Sequence, residues 1–108
     1  ALILAVSTLL VADFGAKRIK GYTFSIEQRA NCEAGSGAYL QYAHCRLLSI
    51  EAKNPGLSAD AANFELVDSK EVCAFVYKLF WYEHIVELCL EDFEPSRIVV
   101  YLMDLVKS

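Results

Sequence analysis

The 108-residue chain has few of the features that would name a chemistry outright. Its four cysteines, Cys32, Cys45, Cys73 and Cys89, are far apart and form no C-x-x-C pair, which argues against a zinc site. Three of them fall among Leu, Val and Phe in helical patterns, where a free thiol acts as a small hydrophobe. All four are therefore read as reduced, and the compartment as cytoplasmic. No apolar run reaches the ~20 residues that a bilayer span needs. The apolar start, Ala1 to Ala12, lacks the basic flank and cleavage site of a secretory leader and is read as a buried helix. No nucleophile-elbow, Walker or dinucleotide fingerprint occurs, so no cofactor and no metal are expected. A basic stripe is also missing. The ten Lys and Arg residues are scattered, the net charge is −4, and only Lys17, Arg18 and Lys20 cluster. A nucleic-acid binder that relies on phosphate neutralisation would carry more.

Strand alternation, low-complexity tracts and internal repeats are absent too, which leaves helices. With 56% hydrophobic and 22% charged residues the chain has the composition of a folded domain, and its length fits one domain over residues 1–108. A first helix is expected from Leu2 to Lys20, apolar on every face and so buried on most sides, with its last turn basic and Gly21 ending it. Ser36 is a good N-cap for a second helix from Gly37 to about Lys53, stopped by Asn54-Pro55-Gly56. A loop follows, with a short helix around Ala61 to Leu66. Ser69 caps a third helix that buries Val72, Phe75, Val76, Leu79 and Phe80. A fourth covers Tyr82 to Asp92, with Ile85, Val86, Leu88 and Cys89 inward and Glu83, Glu87 and Glu91 in an outward row. A fifth begins at Glu94-Pro95 and buries Ile98, Val99, Leu102, Leu105 and Val106. The fold class is all-α, a five-helix partial bundle.

The second helix holds the richest chemistry. At about 100° per residue, Tyr39, Tyr42, Ala43, Arg46 and Ile50 share one side. Two phenol rings with an arginine a turn on can stack unpaired bases and hold a phosphate. The same tyrosines could instead cap a core with their hydroxyls in water. Upstream, Gly35 and Gly37 would let a ligand approach the free N–H groups at the helix N-terminus. Gln41 joins the ligand-binding set. His44, on another side, reads as a structural histidine, and His84 as a solvated one.

The segment Gly37-Ala38-Tyr39-Leu40-Gln41-Tyr42-Ala43-His44-Cys45-Arg46-Leu47 resembles the signature opening the anticodon-binding (DALR-type) domain of arginyl-tRNA synthetases. Its flanks agree: Ala16 to Ser25 upstream, then Ser49-Ile50-Glu51, Asn54-Pro55-Gly56 and Glu94-Pro95-Ser96-Arg97 with Tyr101-Leu102 downstream. The resemblance implies that Tyr39 and Tyr42 match tyrosines that pack against the anticodon loop of tRNA. The family usually reads Glu-Gly-Asp-Thr-Gly-Pro before the tyrosine, whereas Glu33-Ala34-Gly35-Ser36-Gly37-Ala38 stands here, without the second acidic residue and the proline. Ile26 replaces a tryptophan common after the Tyr-x-Phe segment.

The resemblance covers only the first part of that domain and none of the catalytic one, so aminoacylation is not expected. The function it implies is that of a non-catalytic helical domain with inherited tRNA or partner binding, the tRNA held weakly. The alternative is a repurposed dimeric domain that binds or transforms a small apolar molecule by cofactor-free acid–base or cyclisation chemistry. His44 and Glu33 would then be the catalytic candidates. A partial bundle leaves apolar faces open, so a homo-oligomer is expected and no membrane partner. Thiol titration of freshly purified, unreduced protein in denaturant should count four free thiols; a lower count would overturn the reduced reading.

Overall fold

The structure, a computed structural model, describes residues 1–29, 33–56, 58–63, 65 and 67–108, with the side chains of residues 28, 29 and 59 outside the description. The described residues form α1 (Leu2–Phe14), a single turn α2 (Ile26–Arg29), α3 (Gly37–Lys53), a 3-10 turn (Ala59–Ala61), α4 (Lys70–Phe80), α5 (Tyr82–Asp92) and α6 (Ser96–Leu105). The chain is all-α, and five of these helices are the five the sequence predicts. The short helix expected around Ala61 to Leu66 falls partly outside the described residues, at Phe64 and Leu66; of the rest, Ala61 ends the 3-10 turn and Glu65 also has 3-10 geometry.

Local chemistry sets the ends where caps are present. The Ser36 hydroxyl accepts the Tyr39 N–H at 3.1 Å, and the Ser69 hydroxyl accepts the Val72 N–H at 3.2 Å. Each satisfies one donor that a helix start leaves open. Asn54 closes α3 by donating its side-chain amide to the Ile50 carbonyl at 2.7 Å. Phe93, with φ 51°, turns the chain out of α5 in the left-handed region while the Glu94 N–H returns to the Cys89 carbonyl at 3.2 Å. Trp81 ends α4 and starts α5 without leaving helical backbone angles.

The first helix departs from the sequence reading. It stops at Phe14, six residues before Lys20, and its last turn holds no basic residue. Gly15 follows, with the poor helix propensity of glycine. The Arg18 N–H then donates to the Glu94 carboxylate at 3.3 Å, so it is not available to extend the helix. Residues 17–20 close a turn instead, the Lys20 N–H meeting the Lys17 carbonyl at 2.9 Å.

Two groups of helices result. α1 packs mainly on α3, and α4, α5 and α6 pack on one another. A smaller α1–α6 contact and the Arg18–Glu94 hydrogen bond join the groups. The molecule measures 48 × 33 × 21 Å, and its radius of gyration is 16.4 Å, against ~13 Å for a compact domain of this length. Burial is correspondingly thin: among the described residues only Ala12, Gly37 and Ser96 are buried. The expected inward sets of the last two helices are half-buried, from Ile85 to Cys89 and from Ile98 to Val106. Two other expectations are corrected. α1 is apolar all round but not buried, with Leu2, Ile3, Leu4, Val6, Leu9 and Leu10 exposed, because one main neighbour cannot cover every side. On α4, Val76 is half-buried while Val72, Phe75, Leu79 and Phe80 are exposed. Cys45 and Cys73 are exposed free thiols and Cys89 is half-buried; Cys32 lies outside the described residues.

α1 and α3 approach closely at Gly37. A Cβ there would stand 2.1 Å from the Ser7 carbonyl oxygen of α1 and 2.6 Å from the Thr8 nitrogen, both backbone atoms that cannot rotate away. Gly37→Ala should therefore push α1 off α3 at a cost of about 1–3 kcal/mol. The thermal midpoint should fall by about 4–8 °C per kcal/mol. An unchanged melting curve by far-ultraviolet circular dichroism would refute this packing.

Glu94 generates a pH expectation. Its Oε2 accepts the Arg18 N–H, and its Oε1 is closed off from solvent without a donor at hydrogen-bonding geometry. The neighbouring Ser96, and after it the Arg18 N–H and charge, hold the carboxyl below its ordinary value of 4.5 against the opposing effect of desolvation. A depressed carboxyl adds stability above its unfolded pKa and loses it as pH falls through the folded one. That contribution should be complete above pH 4.5 and fade below it. Glu94→Gln should flatten this part of the acid unfolding curve; an identical acid limb in the variant would contradict the assignment.

Candidate functional site

α3 is divided by its contact with α1. Gly37 is buried against the α1 backbone, and one turn on the Gln41 side-chain amide donates to the Ser7 hydroxyl at 2.8 Å. These two residues, expected to meet a ligand, meet α1 instead. No side chain fits at position 37 because a helix occupies the space, so the close approach a glycine allows is made by backbone rather than by ligand. Gly35 behaves differently. It is exposed, with φ 105° and open space around its Cα, and it supplies the left-handed turn that brings the chain into the Ser36 cap.

Facing away from that contact are Tyr42 and Arg46. Tyr42 is 57% exposed, enough to offer its ring to solvent, and the guanidinium of the exposed Arg46 sits 5.8 Å from the ring centroid. A cation at that distance is attracted by the ring quadrupole. Tyr39 is half-buried a turn earlier, and Ile50 is exposed a turn later. The structure brings Tyr42 and Arg46 into contact, with Tyr39 on the same side of the helix by its spacing. It sets Gly37 and Gln41 apart from them. Of the catalytic candidates, His44 is exposed on α3 and Glu33 is exposed in the turn before the Ser36 cap.

Sequence reasoning missed other clusters. Trp81 meets the Tyr77 ring edge-on at 5.9 Å and the His84 ring at 4.9 Å, and the His84 Nδ1 lies 3.8 Å from Glu87 Oε2. His84 is exposed, as expected, and also lies against Trp81 and Glu87. The four-residue step from Tyr77 to Trp81 could have shown the first contact, but the second crosses a helix junction. The Tyr22 hydroxyl donates to Asp13 at 2.9 Å. Beside this pair lie a cavity of about 370 Å³ with Leu9, Leu10 and Phe24, and one of about 340 Å³ with Lys17, Arg18, Lys20 and Pro95. Among the described residues no group of three His, Cys, Asp or Glu side chains could hold a metal ion. No helix among them is long and apolar enough to cross a membrane.

Comparison with known proteins bears on the α3 face. The DALR anticodon binding domain family matches residues 40–108, a range that takes in Tyr42, Arg46 and every later helix. The arginine–tRNA ligase of Encephalitozoon cuniculi is 58% identical over 109 aligned residues, covering 98% of this chain and 19% of that protein. A probable cytoplasmic arginine–tRNA ligase of Dictyostelium discoideum is 35% identical over 98% of this chain and 18% of its own length. The cytoplasmic arginine–tRNA ligase of Saccharomyces cerevisiae is 30% identical over 95% and 18%. The chain thus spans under a fifth of these relatives. No solved structure matches it. With the family matched across α4, α5, α6 and nearly all of α3, and the similarity to arginine–tRNA ligases running on through α1, the chain belongs to the DALR anticodon binding domain family.

Proposed function

We propose that this chain binds the anticodon region of a tRNA through the outward face of α3, acting as one helical domain whose part in tRNA ligation is recognition rather than chemistry. The observation that carries the reading is the exposed Tyr42 ring with Arg46 poised over it, inside the residues that match an anticodon-binding family. Unpaired anticodon bases present flat faces to such a ring. Stacking on it contributes about 1–3 kcal/mol per base, and the guanidinium can stack or take a phosphate. Tyr39 extends the platform by one turn. The relatives' names supply the substrate class, a tRNA that receives arginine.

The outward face of α3 offers an exposed ring and a guanidinium, groups that suit an unpaired base and a phosphate better than a small apolar ligand. Self-association is proposed on a different ground, the exposed apolar faces of α1 and α4, which another surface would cover. The charge of −4 limits the electrostatic share of RNA binding. For these 108 residues alone an affinity no tighter than about micromolar at physiological salt is expected.

Tyr42→Ala should weaken binding of a labelled arginine-accepting tRNA by about 5- to 150-fold, one stacked base. Tyr42→Phe should preserve it, since the ring rather than the hydroxyl does the stacking. Fluorescence anisotropy of the folded variants measures both. If Tyr42→Ala and Arg46→Ala bind as the parent does, the α3 face is scaffold and the proposal fails.

A further inference from the structure

We propose that the turn at residues 17–20 is a second RNA contact, a phosphate-binding site that holds the sugar–phosphate backbone while α3 stacks the bases. The inference rests on the tRNA-binding reading above and adds a partner group to it. Its starting point is the chain's only cluster of cations, Lys17, Arg18 and Lys20. At the end of a helix these charges would be explained by the helix dipole. The structure removes that explanation, because α1 ends at Phe14 with no basic residue in its last turn.

The three cations line the cavity of about 340 Å³ together with Asp13, Tyr22 and Pro95. Lys17 and Lys20 are exposed and make no ion pair among the described residues. Elsewhere, Lys78 pairs with Asp104, Arg97 with Asp92, and Arg46 lies over Tyr42. The carboxylates near the turn already have partners. Asp13 accepts the Tyr22 hydroxyl at 2.9 Å, and Glu94 accepts the Arg18 N–H at 3.3 Å and feels the Arg18 charge. Two lysines thus line one cavity on a turn held by backbone hydrogen bonds, Ala16 N–H to Asp13 and Lys20 N–H to Lys17. A phosphodiester held there would gain two cations and release condensed counterions from the RNA.

The test uses Lys17→Gln with Lys20→Gln in the full chain, circular dichroism confirming the fold. Binding is measured to the arginine-accepting tRNA and to a short oligouridylate between about 50 and 200 mM salt. Loss of two phosphate contacts should weaken binding of both RNAs about 10-fold at low salt and flatten the slope of log K against log salt by about 1.4. Tyr42→Ala should lower affinity and leave the slope unchanged. A double variant with the parent's slope, beside a weakened Tyr42→Ala, would overturn the phosphate site while the α3 reading stands. A flattened slope beside an unaffected Tyr42→Ala would support the site and sink the α3 reading. If inorganic phosphate at constant ionic strength displaces the RNA from the parent but not from the double variant, the turn binds free phosphate and the RNA assignment falls. It also falls if neither RNA binds the parent, or if the lysines serve only anionic phospholipid vesicles.

Discussion

The contact between Gly37 and the Ser7–Thr8 backbone is the constraint from which the α3 site follows. Two helices can approach this closely only where one of them lacks a side chain, and here there is no room for even a methyl group. The contact fixes the rotation of α3 about its axis. With position 37 turned to α1, position 41 follows at one turn and Gln41 reaches the Ser7 hydroxyl. Positions 42 and 46 are then swung about 100° and more away, into solvent. The exposure of Tyr42 and Arg46 is in this sense a consequence of a packing glycine. The Ser36 cap directly before it fixes where the helix starts, so register and rotation are set within two residues.

This explains what could be read from the sequence and what could not. Helix starts at Ser36 and Ser69 and the stop at Asn54 were legible because a cap acts within one turn. The end of α1 was not, because the turn after Gly15 is held by contacts such as the Arg18–Glu94 hydrogen bond, 76 positions apart in sequence. Periodicity gave the inward faces of α5 and α6, which have each other as partners. It misjudged α1 and α4, since an apolar stripe shows which face would be buried and not whether anything stands opposite. At the site, the one-turn spacing of Tyr42 and Arg46 agrees with the contact between them. The role of Gly37 was misread because a glycine that admits a helix and one that admits a ligand look alike in sequence.

The open arrangement has an electrostatic side. The formal charge is −4, and the outward row of Glu83, Glu87 and Glu91 lies on α5, in the α4–α6 group. Arg46 on α3 and the lysines after α1 belong to the other group. Exposed charges farther apart than a Debye length, about 8–10 Å at physiological salt, are largely screened from one another. In a molecule 48 Å long the net charge is therefore a poor guide to the field at either end. A polyanion that met the acidic row would be repelled, while one approaching the α1–α3 end would meet cations held by local geometry.

The two halves of the α1–α3 end differ in how they can read an RNA. A stacked ring contributes mainly through apolar contact and dispersion, so its share of affinity changes little with salt and depends on the base being unpaired. Lysines on a turn take any phosphate, carry no sequence information and lose their effect as salt rises. With the ring on α3 and the lysines on the turn after α1, the first can choose the bases and the second can set the register in which they arrive. The Arg18–Glu94 hydrogen bond then acquires a further role, since it fixes the turn to the start of α6. Displacing that turn would move the cations relative to Tyr42 without changing either group's own chemistry, so the spacing between them is a property of the fold and not of the side chains alone.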